Sequence, residues 1–183
     1  MSRGALVDSA ELDAWLPAPA IRTRHRRTAA ADVDRLWEAA AGVRLDDTRT
    51  IGRLVTWRLP GTPGDQTFRE LLSTYPFAVL DQAEHRLISG LCGRIWTTSR
   101  DYPVLEGADD FRRWDAPGTV RVLFAHWVEP AGRGRSALVS EARVEPVDRH
   151  AHVALRALWL VVGGFERLIG AEPLSLATAR AER

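Results

Sequence analysis

The chain contains no lysine, one cysteine and almost no net charge, and each scarcity excludes a class of function. All 25 basic side chains are arginines, so Schiff-base formation and catalysis by a lysine base are excluded. Cys92 is the only cysteine, which excludes an internal disulfide and a multi-cysteine metal site and favours a cytoplasmic setting. The 25 basic and 24 acidic side chains leave a net charge of +1 and are spread along the chain. The sequence therefore has no excess or cluster of positive charge that would attract nucleic acid or an anionic membrane.

Long hydrophobic runs are also missing. The most apolar stretch, residues 157–165, is flanked by Arg156 and Glu166 and is far shorter than the ~20 residues of a membrane-spanning helix. Residues 1–20 carry acidic side chains and prolines in place of the apolar core of an export signal. We expect residues 1–20 to form a flexible or docked lead-in and residues 21–183 to form a single domain. No glycine-rich loop has the context of a phosphate site, so no nucleotide cofactor is expected.

The first part of the chain predicts one strand followed by short helices. Residues 21–28 alternate as a strand would, with polar side chains on both faces. Apolar residues at spacings of three and four predict helices over residues 30–41 and 50–59, and residues 67–73 predict a helical turn. Gly42 is placed at the end of the first of these helices.

The period then changes to that of strands. Four runs rich in branched and aromatic residues predict an antiparallel meander over residues 77–80, 87–96, 119–129 and 135–145. The Gly- and Pro-containing link between the last two runs predicts that they pair as a hairpin. Residues 97–118 form the longest irregular segment, a length typical of lids and binding loops.

A helical period returns after Asp148, which is placed as the N-cap of the longest helix. The pair Gly163-Gly164 lowers helix propensity in its middle, which predicts a close approach of the sheet or a ligand to the backbone. Gly170 and Pro173 are expected to interrupt this helix before a short polar tail.

This order of elements resembles the START-like (SRPBCC) superfamily, which includes polyketide cyclases and dehydratases, lipid-transfer domains and birch-allergen-like carriers. Residues 30–37 (AADVDRLW) are similar to its strand-to-helix entry. Residues 90–96 (GLCGRIW) and 140–144 (SEARV) resemble strands of uncharacterised bacterial members. Pro173 departs from the pattern, because the terminal helix of the family is usually continuous. The resemblance implies an α+β helix-grip fold, in which a curved antiparallel β-sheet wraps around a long C-terminal helix, with short helices between the first two strands.

In such a fold the long helix closes the mouth of the sheet over a cavity for a hydrophobic ligand. Alternation on the last two strands agrees, since one strand presents large apolar side chains beside the smaller ones of the next. We expect Tyr75 to flank the entrance with two of the lining residues, Tyr102 and Trp114. The expected lining residues are Val122, Phe124, His126, Leu138, Ser140, Ala142, Trp159, Val162, Phe165, Tyr102 and Trp114.

His126 is the candidate catalytic residue, because a histidine on an apolar strand face can transfer a proton or bind a ligand. The alternative is a core histidine that is hydrogen-bonded within the protein. Glu141 and Arg143 share the opposite face of their strand and are expected to form a solvated ion pair, with the orientation of an anionic substrate as the alternative. Cys92 is expected to be a core thiol.

No metal site is expected. His150 and His152 are two residues apart at the start of a helix and point to different sides. The adjacent acidic pairs at 46–47 and 109–110 are interpreted as capping or solvated groups, which outweighs paired-carboxylate catalysis.

Three hypotheses of function stay open at this stage. The first is binding of an apolar or aromatic small molecule, lipid- or polyketide-like, by a monomer or homodimer. The second is an enzyme of the cyclase or dehydratase type that uses His126 in a shaping cavity. The third is a protein-interaction module or homodimer with a vestigial cavity, which a cavity filled by side chains would favour.

Overall fold

The computed structural model describes residues 9–97, 102–162 and 166–183. The strands are β1 (Ile21–Ala29), β2 (Ala78–Ala83), β3 (Arg86–Gly93), β4 (Val120–Pro130) and β5 (Ser136–Pro146). The helices are α1 (Ser9–Asp13), α2 (Val33–Ala41), α3 (Ile51–Arg58), α4 (Phe68–Leu71), α5 (Ala108–Arg113), α6 (Arg149–Val162) and α7 (Glu166–Ala181), and a short 3-10 turn spans Leu45–Asp47.

The five strands form one antiparallel sheet in the order β1-β5-β4-β3-β2. The predicted hairpin is confirmed, because β4 and β5 pair along their whole lengths from Val120 opposite Pro146 to Pro130 opposite Ser136. The first strand pairs with the last one, and helices α2 to α4 occupy the crossover between β1 and β2. The α+β helix-grip fold expected for this chain, a curved sheet gripping C-terminal helices, is therefore confirmed.

Side-chain caps begin α2 and α6, and α2 begins three residues later than the predicted range of 30–41. Asp32 accepts a hydrogen bond from the backbone N–H of Arg35 at 2.8 Å and begins α2. Asp148 accepts one from Ala151 at 2.7 Å, which confirms it as the N-cap of α6. Gly42 ends α2, as predicted.

The prediction for the end of the C-terminal helix was wrong. Pro173 lies inside α7, which continues to Ala181 instead of ending near Gly170. A proline inside a helix costs about 3 kcal/mol, but Leu174, Ala177 and Ala181 are buried in one cluster with α2 and β5. Burial of the α7 face that carries these three residues outweighs the low helix propensity of proline. Gly163 and Gly164, where a close backbone approach was predicted, lie outside the described residues.

The outer face of the sheet is covered, and the expectation of a solvated ion pair there was wrong. Leu12 and Leu16 of the lead-in are fully buried, and Trp15 nearly so, against Leu123 and Val139 of the sheet. Apolar side chains of the lead-in therefore pack against the apolar side chains of the sheet that point away from the cavity. Glu141 and Arg143 lie under this cover with no exposed surface.

Among the residues described, no helix is both long and apolar enough to cross a membrane.

Candidate functional site

A cavity of about 460 Å³ lies between the concave face of the sheet and the helices packed over it. The lining side chains are mostly aliphatic and aromatic, and they come from β1, β3, β4 and β5 on one side and from α2, α3, α4, α6 and α7 on the other. Representative wall residues are Trp37, Leu54, Phe68, Leu158, Trp159 and Leu174. Volume and apolar character both suit a small-molecule pocket.

The sheet contributes its concave face, here called the cavity floor. Strand alternation puts Val122, Phe124 and His126 of β4 on this floor, because successive side chains of a strand point to opposite faces. Phe124 is held edge-on by Phe77, with the ring centroids 5.8 Å apart. The residues between them, such as Leu123 and Ala125, pack on the outer face.

Most of the predicted lining residues meet at this cavity. The lining residues foreseen from the sequence are Tyr102, Val122, Phe124, His126, Leu138, Ser140, Ala142 and Trp159. Their placement is a finding, and their role in ligand binding stays a prediction.

The structure places Trp114 away from this group, and the other predicted residues are Val162, Phe165 and the entrance residue Tyr75. Trp114 packs beside the outer-face core, and its Nε1 donates a hydrogen bond to Thr119 Oγ1 at 2.9 Å. Trp114 is therefore placed away from the cavity, because α5 lies over the covered outer face of the sheet. Val162 ends α6, but its side chain is not described, and Phe165 lies outside the described residues. Tyr75 is exposed and donates from its hydroxyl to the backbone oxygen of Tyr102 at 3.0 Å.

Strand register arranges the floor in rows that run across the sheet. One row contains Ile21, Val144, Val122 and Leu91, which are all apolar. The next row contains Thr23, Ala142, Phe124 and Ser89. The third contains His25, Ser140, His126 and Leu87, so two histidines flank one serine on three adjacent strands. His25, Ser140 and His126 are called the polar row below.

Sequence reasoning missed His25. Its strand is polar on both faces, so alternation alone did not show which face meets the cavity. The available signal was the set Ile21, Thr23 and His25 at alternate positions, all of which line the cavity. The partner of this strand is β5, more than a hundred residues further along the chain, and no local pattern indicates that pairing.

His126 differs from the hydrogen-bonded core histidine considered as the alternative. Its Nε2 has no hydrogen-bond partner within the described part of the chain. Burial lowers the pKa of His126 to about 4, because an apolar setting disfavours the charged imidazolium. The side chain keeps some accessible surface, and since His126 lines the cavity we assign that surface to the cavity. His126 is therefore a neutral imidazole whose Nε2 is unpartnered among the described residues and is itself a buried atom.

Ser89 is a second polar group of the floor without a partner. It is fully buried in the row beside Phe124, and its Oγ makes no hydrogen bond with the described residues. A buried polar atom without a partner costs free energy, but Ser89 is not among the residues that line the cavity, so its hydroxyl is not assigned to ligand binding.

Cys92 is not a nucleophile in this setting. The thiol is buried on the outer face of β3. Burial raises its pKa to about 12, against a smaller lowering effect of Arg121, so the thiolate is scarce at neutral pH.

One cluster of potential metal ligands lies at the surface, apart from the cavity. Asp34, Glu84 and His85 bring their ligand atoms within 4.8 Å of one another. His85 Nε2 is already hydrogen-bonded to Asp34 Oδ1 at 2.6 Å, and both carboxylates are exposed. This arrangement is that of a surface ion pair.

Comparison with known proteins finds only remote structural similarity. No family model matches the chain, and no curated protein matches it. A hypothetical protein from Helicobacter pylori is 10% identical over 100% of this chain and 99% of its own, with a TM-score of 0.41. A protein from Thermus thermophilus is 11% identical over 88% and 97%, with a TM-score of 0.33.

The Zhui aromatase/cyclase from a Streptomyces species is 13% identical over 89% of this chain and 94% of its own, with a TM-score of 0.32. None of these three likenesses is close enough to transfer a ligand or a reaction to this chain.

Proposed function

We propose that this protein binds an apolar or aromatic small molecule, lipid- or polyketide-like, in its internal cavity. The observation that carries the proposal is the apolar-lined space of about 460 Å³ over the concave face of the sheet. A protein core is normally close-packed with few voids larger than a water molecule. Space of this size between well-formed walls therefore supports a binding role.

The cavity is lined by side chains from distant parts of the chain that the fold brings together. Phe124 and Phe77 form an aromatic wall, and Trp37 lies under the guanidinium of Arg69, whose carbon is 5.9 Å from the ring centroid. Both aromatic faces and aliphatic groups are thus available to an apolar ligand. The described residues leave this space open, whereas a cavity filled by side chains would have favoured the protein-interaction hypothesis.

Native mass spectrometry of the purified protein, followed by denaturing extraction, tests this proposal. A bound apolar species of defined mass supports it and identifies the ligand. A chain that carries no molecule and also fails to bind a fluorescent apolar probe would refute it.

A second candidate function is catalysis of the cyclase or dehydratase type. The observation in its favour is the neutral imidazole of His126 on the cavity floor, where it lies beside Ser140 and His25. Turnover of an extracted ligand by the wild type but not by His126→Gln would support this function.

A further inference from the structure

The polar row has a definite place in the cavity. On one side of it the floor continues to Leu138 and Val128, which are packed against Leu174 and Ala177 of α7 and close that end. On the other side lie the row of Phe124 and then the all-apolar row. A ligand that reaches the polar row therefore has Leu138 on one side of its polar group and Phe124 and Ala142 on the other.

The geometry of the row allows more than one hydrogen bond to the same atom. His25 and His126 both face Ser140 directly across their strand pairs, and directly opposite residues have Cβ atoms about 5 Å apart. One ligand atom above Ser140 can therefore reach an imidazole nitrogen and the serine hydroxyl together.

Chemistry narrows the class of group that fits. A neutral imidazole carries one donor and one acceptor nitrogen, and a hydroxyl both donates and accepts. A ligand hydroxyl can therefore donate to or accept from any member of the polar row, whereas a ligand carbonyl can only accept. A carboxylate needs a cation, and the arginine of the lining, Arg69, is exposed on the helical wall, where its guanidinium lies over Trp37.

We propose that the cavity selects uncharged apolar ligands that carry a hydroxyl group, and that the polar row of His25, Ser140 and His126 recognises this hydroxyl. The inference rests on the proposed binding function and specifies the ligand class. His126 is a binding residue in this account, and no proton transfer is required of it.

Three probes that share one ring system provide the test: naphthalene, 1-naphthol and 1-naphthoate. Their affinities are measured by equilibrium dialysis with the wild type, His126→Leu and His126→Gln. We expect the wild type to bind 1-naphthol about tenfold more tightly than naphthalene, since a hydrogen bond to a buried unpaired group is worth about 1.4 kcal/mol. In His126→Leu the ratio should fall to near one with naphthalene binding retained. His126→Gln should keep part of the preference.

Thr28→Val is the matched control, because Thr28 lies on the same strand as His25 but does not line the cavity, and this substitution removes a hydroxyl with little change in shape. It should leave the ratio of the two affinities as in the wild type. Circular dichroism of each variant shows whether it is folded, and His126→Gln tests the proposal if the leucine variant is not.

The outcomes separate the two proposals. Equal binding of naphthalene and 1-naphthol by the wild type, unchanged in His126→Leu, overturns the hydroxyl selectivity and leaves the cavity function standing. Tightest binding of 1-naphthoate, lost in Arg69→Gln, also overturns it and indicates an anionic ligand. Failure of all three probes to bind would count against the cavity function itself.

Discussion

Arg143 donates from Nε to Glu141 Oε1 at 2.7 Å, and both side chains are completely buried. Arg143 also pairs through Nη1 with Asp13 of α1, while Arg22 reaches Glu141 at 2.9 Å from β1. The network joins the lead-in, β1 and β5 on the outer face of the sheet. It therefore fixes the strands whose other faces form the cavity floor.

Arg143→Met should lower the free energy of unfolding by about 3 kcal/mol, because it leaves Glu141 as a buried charge with one partner fewer. Urea titration measures the change. Arg113→Met is the control, since Arg113 is 74% exposed and pairs with Asp110 at 3.4 Å, and an exposed pair contributes at most about 1 kcal/mol. The double variant Glu141→Leu with Arg143→Met should recover part of the loss. Equal losses in the two single variants would contradict the account.

Gly90 allows Phe111 of α5 to lie directly on β3. A Cβ at this position would be 2.7 Å from the Phe111 ring and 2.8 Å from Leu80 Cδ1, so Gly90→Ala should destabilise the fold by about 1–3 kcal/mol through overpacking. Gly42→Ala is the control, because its Cβ would meet nothing closer than 3.5 Å. Thermal unfolding should show a clear decrease in Tm for the first variant alone, and a decrease of the same size in both would exclude this packing argument.

The buried imidazole of His126 predicts a pH dependence of stability. Its pKa is about 4 in the folded protein, lowered by burial from the ordinary 6.5. Between pH 6.5 and pH 4 the unfolded chain binds a proton at His126 that the folded chain does not. The contribution of His126 to the free energy of unfolding is therefore fully present above pH 6.5 and is lost as the pH falls towards 4. Other ionisable groups of the protein also contribute to its pH dependence, so the comparison is made against His126→Gln.

From pH 7.5 to 4.5 the wild type should lose about 2 kcal/mol more of unfolding free energy than His126→Gln. Urea titrations at the two pH values measure this difference. Identical losses in the two proteins would show that His126 is charged in the folded state or is solvated there.

Glu172 of α7 connects the C-terminal helix to a wall of the cavity. Its carboxylate accepts hydrogen bonds from the backbone N–H groups of Arg49, Thr50 and Ile51 at 2.6, 3.1 and 3.3 Å, at the start of α3. Burial acts to raise the pKa of Glu172, but these N–H groups and Arg49 together lower it, so the group is ionised at neutral pH.

Glu172→Ala should cost about 1 kcal/mol, as the loss of a helix cap does, and should weaken the binding of apolar probes because Ile51 and its neighbours on α3 line the cavity. Glu182→Ala is the matched control, since Glu182 accepts from the backbone of Ala30 at 2.9 Å and is not a lining residue. Probe affinity should fall in the first variant and stay constant in the second. A constant probe affinity in both variants would show that the Glu172 contact with α3 does not affect binding.

Local patterns predicted much of this fold. The link after Glu129 indicated the β4–β5 hairpin, and alternation on those strands indicated which side chains share a face with His126. Asp148 and Gly42 were predicted as helix ends because capping depends on neighbouring residues alone. The helix-grip arrangement of these elements came from the resemblance to START-like proteins.

What the sequence did not show depends on contacts between distant residues. The pairing of β1 with β5 places His25 beside Ser140, and no short-range signal encodes that register. The lead-in covers the outer face through Leu12 and Leu16, so polar Glu141 became buried although alternation suggested exposure. Pro173 stays within a helix because tertiary packing outweighs its local preference.

Ala142→Phe is the variant that tests the cavity most directly, because Ala142 lies at the centre of the floor between Thr23 and Phe124 and keeps accessible surface inside the cavity. Val153→Phe adds the same ring to an exposed position of α6 that does not line the cavity. The measurement is the dissociation constant of 1-naphthol for the wild type and both variants. We predict binding by the wild type and by Val153→Phe, with at least a tenfold loss for a folded Ala142→Phe, because the new ring occupies the space of the ligand. Equal affinity in all three proteins would contradict the account by placing the ligand outside the cavity.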